Sequence, residues 1–268
     1  SLAGNETSGS VTYQVKSGSS WTDTSSTSAD HSDGNYEYRA VVSDAAGNTS
    51  TTNSVTVTVD TTATAGSVAL SSFSDTGTSS SDLISNDKTY GLTVAGGETE
   101  GSVTYKVSTN GSTWNTTSGD EVSHSDGTYN YKAIVSDIAG NTATTAAITV
   151  TIDTSTTAGT LSLSGFSDSG TSSSDKISND KTFGLSLSGN ETGSSVSYEV
   201  STDAGSNWTA TSYNSATHSD ESYQYRAVIS DVAGNSATTN TLSVTVDTTA
   251  TAGSVVLSSF SDTGSSSS

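Results

Sequence analysis

Apolar residues in this chain recur at every second position, in short runs separated by polar, glycine-containing turns. In Val103-Thr104-Tyr105-Lys106-Val107, Val, Tyr and Val alternate with Thr and Lys. Further on, Tyr129, Tyr131, Ala133 and Val135 take one face, and Asn130, Lys132 and Ser136 the other. Ile148, Val150 and Ile152 alternate with Thr149 and Thr151 in the same way. Shorter runs place Val68 with Leu70, and Leu92 with Val94. A period of two marks half-buried strands, and Asn110-Gly111 marks a tight turn between two of them. No stretch keeps a helical period beyond a single turn. Between Trp114 and His124 the pattern is too weak to assign.

These runs repeat. Asp44, Asp137 and Asp231 head three copies of Ser-Asp-x-Ala-Gly-Asn, 93 and then 94 residues apart. Asp60, Asp153 and Asp247, at the ends of the strands that follow, keep that spacing. So do Trp21, Trp114 and Trp208, and His31, His124 and His218. A period of this size signals a tandem array of one folding unit. The expected organisation is 1–60, a repeat lacking its first strand; 61–153 and 154–247, two complete repeats; and 248–268, the first strand and loop of a further one. Six or seven short alternating strands per repeat predict an all-β fold, a tandem array of immunoglobulin-like antiparallel β-sandwiches. The Tyr-x-Tyr strand after His-Ser-Asp falls where such sandwiches carry a tyrosine corner. Each Trp, lying just after a strand, is expected to cover one end of the core.

Composition narrows the function. The chain has 8 Lys plus Arg against 28 Asp plus Glu, a net charge of −20. That balance opposes nucleic acid and anionic membranes and favours cations. No apolar run approaches the length needed to span a bilayer. With no Cys there are neither disulfides nor thiol ligands. Absence of Met, together with the phase of the repeats, suggests an internal or processed piece of something longer. The three His share one repeat position and read as structural. The Asn-x-Ser/Thr triplets at Asn5, Asn48, Asn110, Asn115, Asn190 and Asn207 read as chance in a Ser/Thr-rich chain.

The blocks DTGTSSSDLISNDKT, DGTYNYKAIVSDIAGNT and TVTIDT, recurring in the complete repeats, resemble the bacterial Ig-like repeats of giant adhesins of the type I-secreted, RTX class, including biofilm-associated proteins. The family's closing block usually runs into proline, which is absent here. The resemblance implies a non-enzymatic stalk, extracellular and on the cell surface. Such a stalk projects a host- or surface-binding domain that lies outside this chain.

Two sets of carboxylates are candidates for Ca²⁺, which takes six to eight hard oxygen ligands in flexible geometry. The first is a polar loop with Asp75, Asp82 and Asp87, copied as Asp168, Asp175 and Asp180, with Asp262 in the C-terminal segment. The second follows from topology. In such a sandwich the turn before the last strand lies at the pole where the chain enters, opposite the pole where the last strand ends. Asp60 is therefore expected near Glu98 and Asp137, and Asp153 near Glu191 and Asp231. Gathered carboxylates repel one another unless a cation sits among them. A turn merely capped by its own Asp is the competing reading of Ser-Asp-x-Ala-Gly-Asn.

The ends admit two readings. The chain is a window on a longer array, with neighbouring repeats as its partners. Alternatively it is a filament subunit whose segment 248–268 completes residues 1–60 of another copy, head to tail.

Overall fold

The computed structural model describes residues 3–4, 9–25, 30–259, 261 and 263. Asn5 and Asp262 lie outside them. Among the described residues there are strands and turns and no helix. Two compact units divide the chain: residues 1–73 with 89–151, and residues 74–88 with 152–268.

In the second unit Glu221–Ser230 is the central strand. It pairs antiparallel with Ser195–Ser201, placing Tyr198 opposite Ala227. Its first half pairs with Leu242–Val246, and its end with Ser236–Thr238. Ile177–Ser178 adds to the edge in parallel with Leu242–Val246. A second sheet pairs Thr160–Ser164 with Thr182–Ser188 and adds Ala216–Thr217. The inward positions of both sheets meet in one core of Leu161, Phe183, Leu185, Tyr225, Ala227, Ile229, Leu242, Val244 and Val246. Each of its larger apolar side chains contributes about 1.5–3 kcal/mol by leaving water. Alternation is strict through the middle of Glu221–Ser230, where Tyr225, Ala227 and Ile229 are buried and the residues between them are half-buried.

The first unit repeats the design. Gly127–Ser136 pairs with Ser102–Ser108, Ala133 opposite Tyr105. Ser67–Ser71 pairs with Thr89–Ala95, Leu70 opposite Leu92. Val68, Tyr90, Leu92, Tyr131, Ala133, Val135 and Val150 are buried. The N-terminal repeat pairs Gly34–Ser43 with Ser10–Ser17 and with Val55–Val59. There Ala40 is buried, whereas Val55 and Val57 stay exposed. Among the described residues, the strands of this repeat form a single sheet.

Tyrosine corners occur in all three repeats. The hydroxyls of Tyr36, Tyr129 and Tyr223 donate to the carbonyls of Ser32, Ser125 and Ser219. Two expectations need correction. Val103 and its equivalent in the third repeat, Val196, are exposed, although they pair with the buried Val135 and Ile229 and so share the core face with them. The Trp residues do not cover the end of the core. Arg39, Lys132 and Arg226 place their cations 4.1 to 4.2 Å from the ring centres of Trp21, Trp114 and Trp208. Arg226 lies between the buried Tyr225 and Ala227, so it points away from the core and the Trp ring covers the outer face of that sheet.

After Thr248, which is fixed by hydrogen bonds from its amide and hydroxyl to Asp220, residues 249–259 form no strand. Val255, Val256 and Leu257 are 96%, 80% and 73% exposed.

Candidate metal centre

The turn Ser-Asp-x-Ala-Gly-Asn is built by its Asp. In the third copy Asp231 Oδ1 accepts the amide of Asn235 at 2.8 Å, and Oδ2 accepts the Asn235 side-chain amide at 2.8 Å. The Asp231 amide donates to the Asn235 carbonyl at 3.2 Å, closing the loop in both directions. Asp137 with Asn141, and Asp44 with Asn48, form the same bonds. Donation from the Asn side chain, and then from main-chain amides, lowers the pKa of Asp137 and Asp44. The capping role of the Asp is therefore present in every repeat.

It does not consume the whole carboxylate. In the second unit Asp153, Glu191 and Asp231 each bring one oxygen within 4.8 Å of the others. Asp231 is buried, at 2% exposure, and the other two are half-buried. Each is positioned separately. Asp153 follows the strand that ends at Ile152, and its Oδ1 accepts the Ser155 amide at 3.2 Å. Glu191 lies in the turn after Thr182–Ser188, and its Oε2 accepts the Thr157 amide at 3.3 Å. Asn235 also donates from its side chain to the Asp153 carbonyl at 2.8 Å, fastening the turn to the residue that ends the preceding repeat. Three carboxylates this close, one of them buried, repel one another and together offer hard oxygen ligands to a cation.

The counterpart in the first unit is looser. Asp60, Glu98 and Asp137 line one cleft of about 500 Å³, together with Glu100. Asn141 donates to the Asp60 carbonyl at 2.9 Å, as Asn235 does to Asp153. Glu98 Oε1 accepts the Thr64 amide. Among the described residues, only Asp153, Glu191 and Asp231 converge as tightly.

The polar loops place their carboxylates differently. Asp75 Oδ2 accepts the Leu83 amide at 3.0 Å, Asp82 Oδ1 the Ile84 amide at 3.1 Å and Asp87 Oδ2 the Ser74 amide at 2.7 Å. Asp168, Asp175 and Asp180 accept from Lys176, Ile177 and Ser167 in the same register. These amides, from Thr182 and then Ser167, lower the pKa of Asp180. Each loop keeps one oxygen in reserve: Asp75 Oδ1 and Asp168 Oδ1 are buried and have no hydrogen-bond partner. A carboxylate oxygen in that state fits a hard cation as ligand.

The 74–88 loop also has a second task that its sequence does not announce. Within the second unit, the Thr76 hydroxyl donates to the Ala233 carbonyl at 2.7 Å. The Asn86 and Thr78 amides donate to the carbonyls of Ala233 and Val232. Gly77 makes this possible, since a Cβ there would stand 2.0 Å from the Val232 carbonyl oxygen. Ala233, at the centre of the turn, is fully buried.

Paired antiparallel sheets, tyrosine corners and a repeated turn before the last strand define tandem sandwiches of the immunoglobulin type. The chain belongs to the bacterial Ig-like domain family, whose model matches residues 1–61, 62–154 and 155–248. No curated protein matches it. Among solved structures it is similar to a Ca²⁺-stabilised adhesin that helps an Antarctic bacterium reach out and bind ice. Identity there is 25%, over 91% of this chain and 67% of that one, with a TM-score of 0.37. A 1.5-MDa bacterial ice-binding adhesin is 19% identical over 89% of this chain and 86% of the other, with a TM-score of 0.42. Fibronectin(III)-like modules of Clostridium thermocellum CbhA are 14% identical over 59% and 84%, with a TM-score of 0.30. At such scores the functional reading rests on this chain's own residues.

Proposed function

We propose that this chain is part of the extender of an extracellular bacterial surface adhesin, stiffened by Ca²⁺ where one repeat meets the turns of the next. The observation carrying this reading is the convergence of Asp153, Glu191 and Asp231 within 4.8 Å. Asp153 ends one repeat, and the other two belong to the repeat that follows. A cation held by all three ties those segments together, and removing it leaves mutually repelling charges. Asp60, Glu98 and Asp137 form the corresponding site in the first unit. Asp75, Asp82 and Asp87, with Asp168, Asp175 and Asp180, offer loop sites through the unpartnered oxygens of Asp75 and Asp168. The role is mechanical and involves no catalysis. Adhesion and biofilm formation fall to a binding domain elsewhere, and residues 248–268 open a further repeat.

The test is to add Ca²⁺ to chelator-treated chain while following melting temperature and hydrodynamic radius. The reading expects both to rise. Two flat responses would contradict it.

One observation favours a second reading, head-to-tail assembly with other copies. Val255, Val256 and Leu257 are exposed, whereas their counterparts Val68 and Leu70 lie in a paired strand. Sedimentation over a concentration series tests it: growth of the particle with concentration supports strand sharing, and a constant monomer excludes it.

A further inference from the structure

The third repeat carries an aromatic pair that the sandwich does not require. Tyr213 is 56% exposed, and its ring centre lies 5.5 Å from that of Tyr198 at an interplanar angle of 40°. The two rings line an open cleft of about 460 Å³ with Leu185, Leu187, Ser186 and Asn214. That volume falls in the range of small-ligand sites, about 300–1,000 Å³.

Comparison of the repeats shows that packing does not explain Tyr213. At the same repeat position the second repeat has Gly119 and the first has Ser26. The structural task of the position belongs to the main chain: the Gly119 carbonyl accepts the Leu92 amide at 2.9 Å, and the Tyr213 carbonyl accepts the Leu185 amide at 2.9 Å. In the second repeat a side chain would require the Tyr105 ring to shift, because a Cβ on Gly119 would stand 2.5 Å from Tyr105 Cε2. In the third repeat the equivalent ring, Tyr198, leaves room for a second aromatic. A solvent-facing ring that the fold can do without, beside a cleft, calls for an explanation other than stability.

We propose that this cleft binds a neutral saccharide, with Tyr213 as its stacking surface. Aromatic faces carry partial negative charge and attract the polarised C–H face of a sugar ring. The Asn214 carboxamide and the Ser186 hydroxyl supply donors and acceptors for sugar hydroxyls. No charged side chain lines the cleft, and the net charge of −20 repels anionic ligands. The ligand class is therefore uncharged and polyhydroxylated. This inference is independent of the cation sites.

The test uses the full chain, titrated with maltohexaose, cellohexaose and mannotriose and followed by tyrosine-sensitive NMR and calorimetry. Binding of at least one sugar at millimolar concentration is expected. Tyr213→Ser, which installs the residue of the first repeat, should weaken it by about tenfold or more while leaving the melting temperature unchanged. If Tyr213→Ser fails to fold, Asn214→Ala must show the loss instead. No binding by any of the three sugars overturns the proposal. So does undiminished binding by the variants, or equal binding of polygalacturonate.

Discussion

The side-chain amide of Asn235 bridges the Asp153 carbonyl and Asp231 Oδ2, at 2.8 Å to each. Asn141 does the same for the Asp60 carbonyl and Asp137 Oδ2, at 2.9 and 2.7 Å. One residue thus shapes the turn and holds the end of the preceding repeat against it. Asn235→Ala keeps the main-chain bond to Asp231 but removes both side-chain bonds. A loss of about 1–2 kcal/mol is expected, read by urea denaturation. Asn235→Asp should lose more in chelator than in Ca²⁺, because it adds a fourth carboxylate to the cluster.

The Gly77 contact is tested by comparing two glycines in equivalent loops. Gly77 and Gly170 both have positive φ, +97° and +108°. A Cβ on Gly77 meets the Val232 carbonyl oxygen at 2.0 Å, whereas on Gly170 nothing lies nearer than the Ile177 carbonyl at 4.0 Å. Gly170→Ala should cost only its backbone strain, about 1 kcal/mol. Gly77→Ala should cost about 3 kcal/mol, since the loop must leave the turn it is docked on. Equal losses in denaturation midpoints would contradict the docking.

Much of this was legible in the sequence. The repeat, the alternation and the tyrosine corner follow from residue spacing. Asp153, Glu191 and Asp231 were placed together by topology alone, because strand ends and turns have fixed poles in a sandwich. The Asn235 bridge was hidden because Asn in a turn reads as a turn residue, and its second partner is a main-chain carbonyl 82 positions away. The docking of Thr76 and Gly77 was hidden for the same reason: carbonyls of Val232 and Ala233 accept the contact, and carbonyls leave no trace in hydropathy. Tyr213 could have been found by aligning the copies, where it stands against Gly119 and Ser26. The short strands Val122–Ser123 and Ala216–Thr217 are set by pairing with Thr89–Ala95 and Thr182–Ser188, not by their own pattern.

His124 gives the second repeat a pH dependence. Its ring stacks on Tyr90 at 4.1 Å and 14°, with Tyr129 and Tyr131 beside it. Burial lowers its pKa below 6.5, against a smaller opposing effect of a hydrogen bond with the Tyr90 main chain. The unfolded chain then binds the proton more readily than the folded one. The stability at stake is present above the unfolded pKa and is lost as pH falls below about 6.5 towards the folded value. His124→Phe should remove that step from denaturation midpoints measured across this range.

At lower pH the turn at Asp203 should open. The Asn207 main-chain amide, the Asn207 side chain and the Ser201 hydroxyl hold its pKa down to about 2, against an ordinary 3.8. Its contribution is therefore complete above 3.8 and lost as pH falls through about 2. Asp203→Asn should flatten the pH dependence of stability in this window, read by chemical denaturation. An unchanged profile would contradict it.

The cation site at Asp153, Glu191 and Asp231 is tested most directly by calorimetric titration of Ca²⁺ into chelator-treated chain, beside Glu191→Gln. Glu191 is the variant of choice because Asp231 also builds its own turn. The account predicts binding at about 10⁻⁴ to 10⁻³ M, with one site missing in the variant. Superimposable isotherms for the two proteins, or no heat of binding in either, would contradict it.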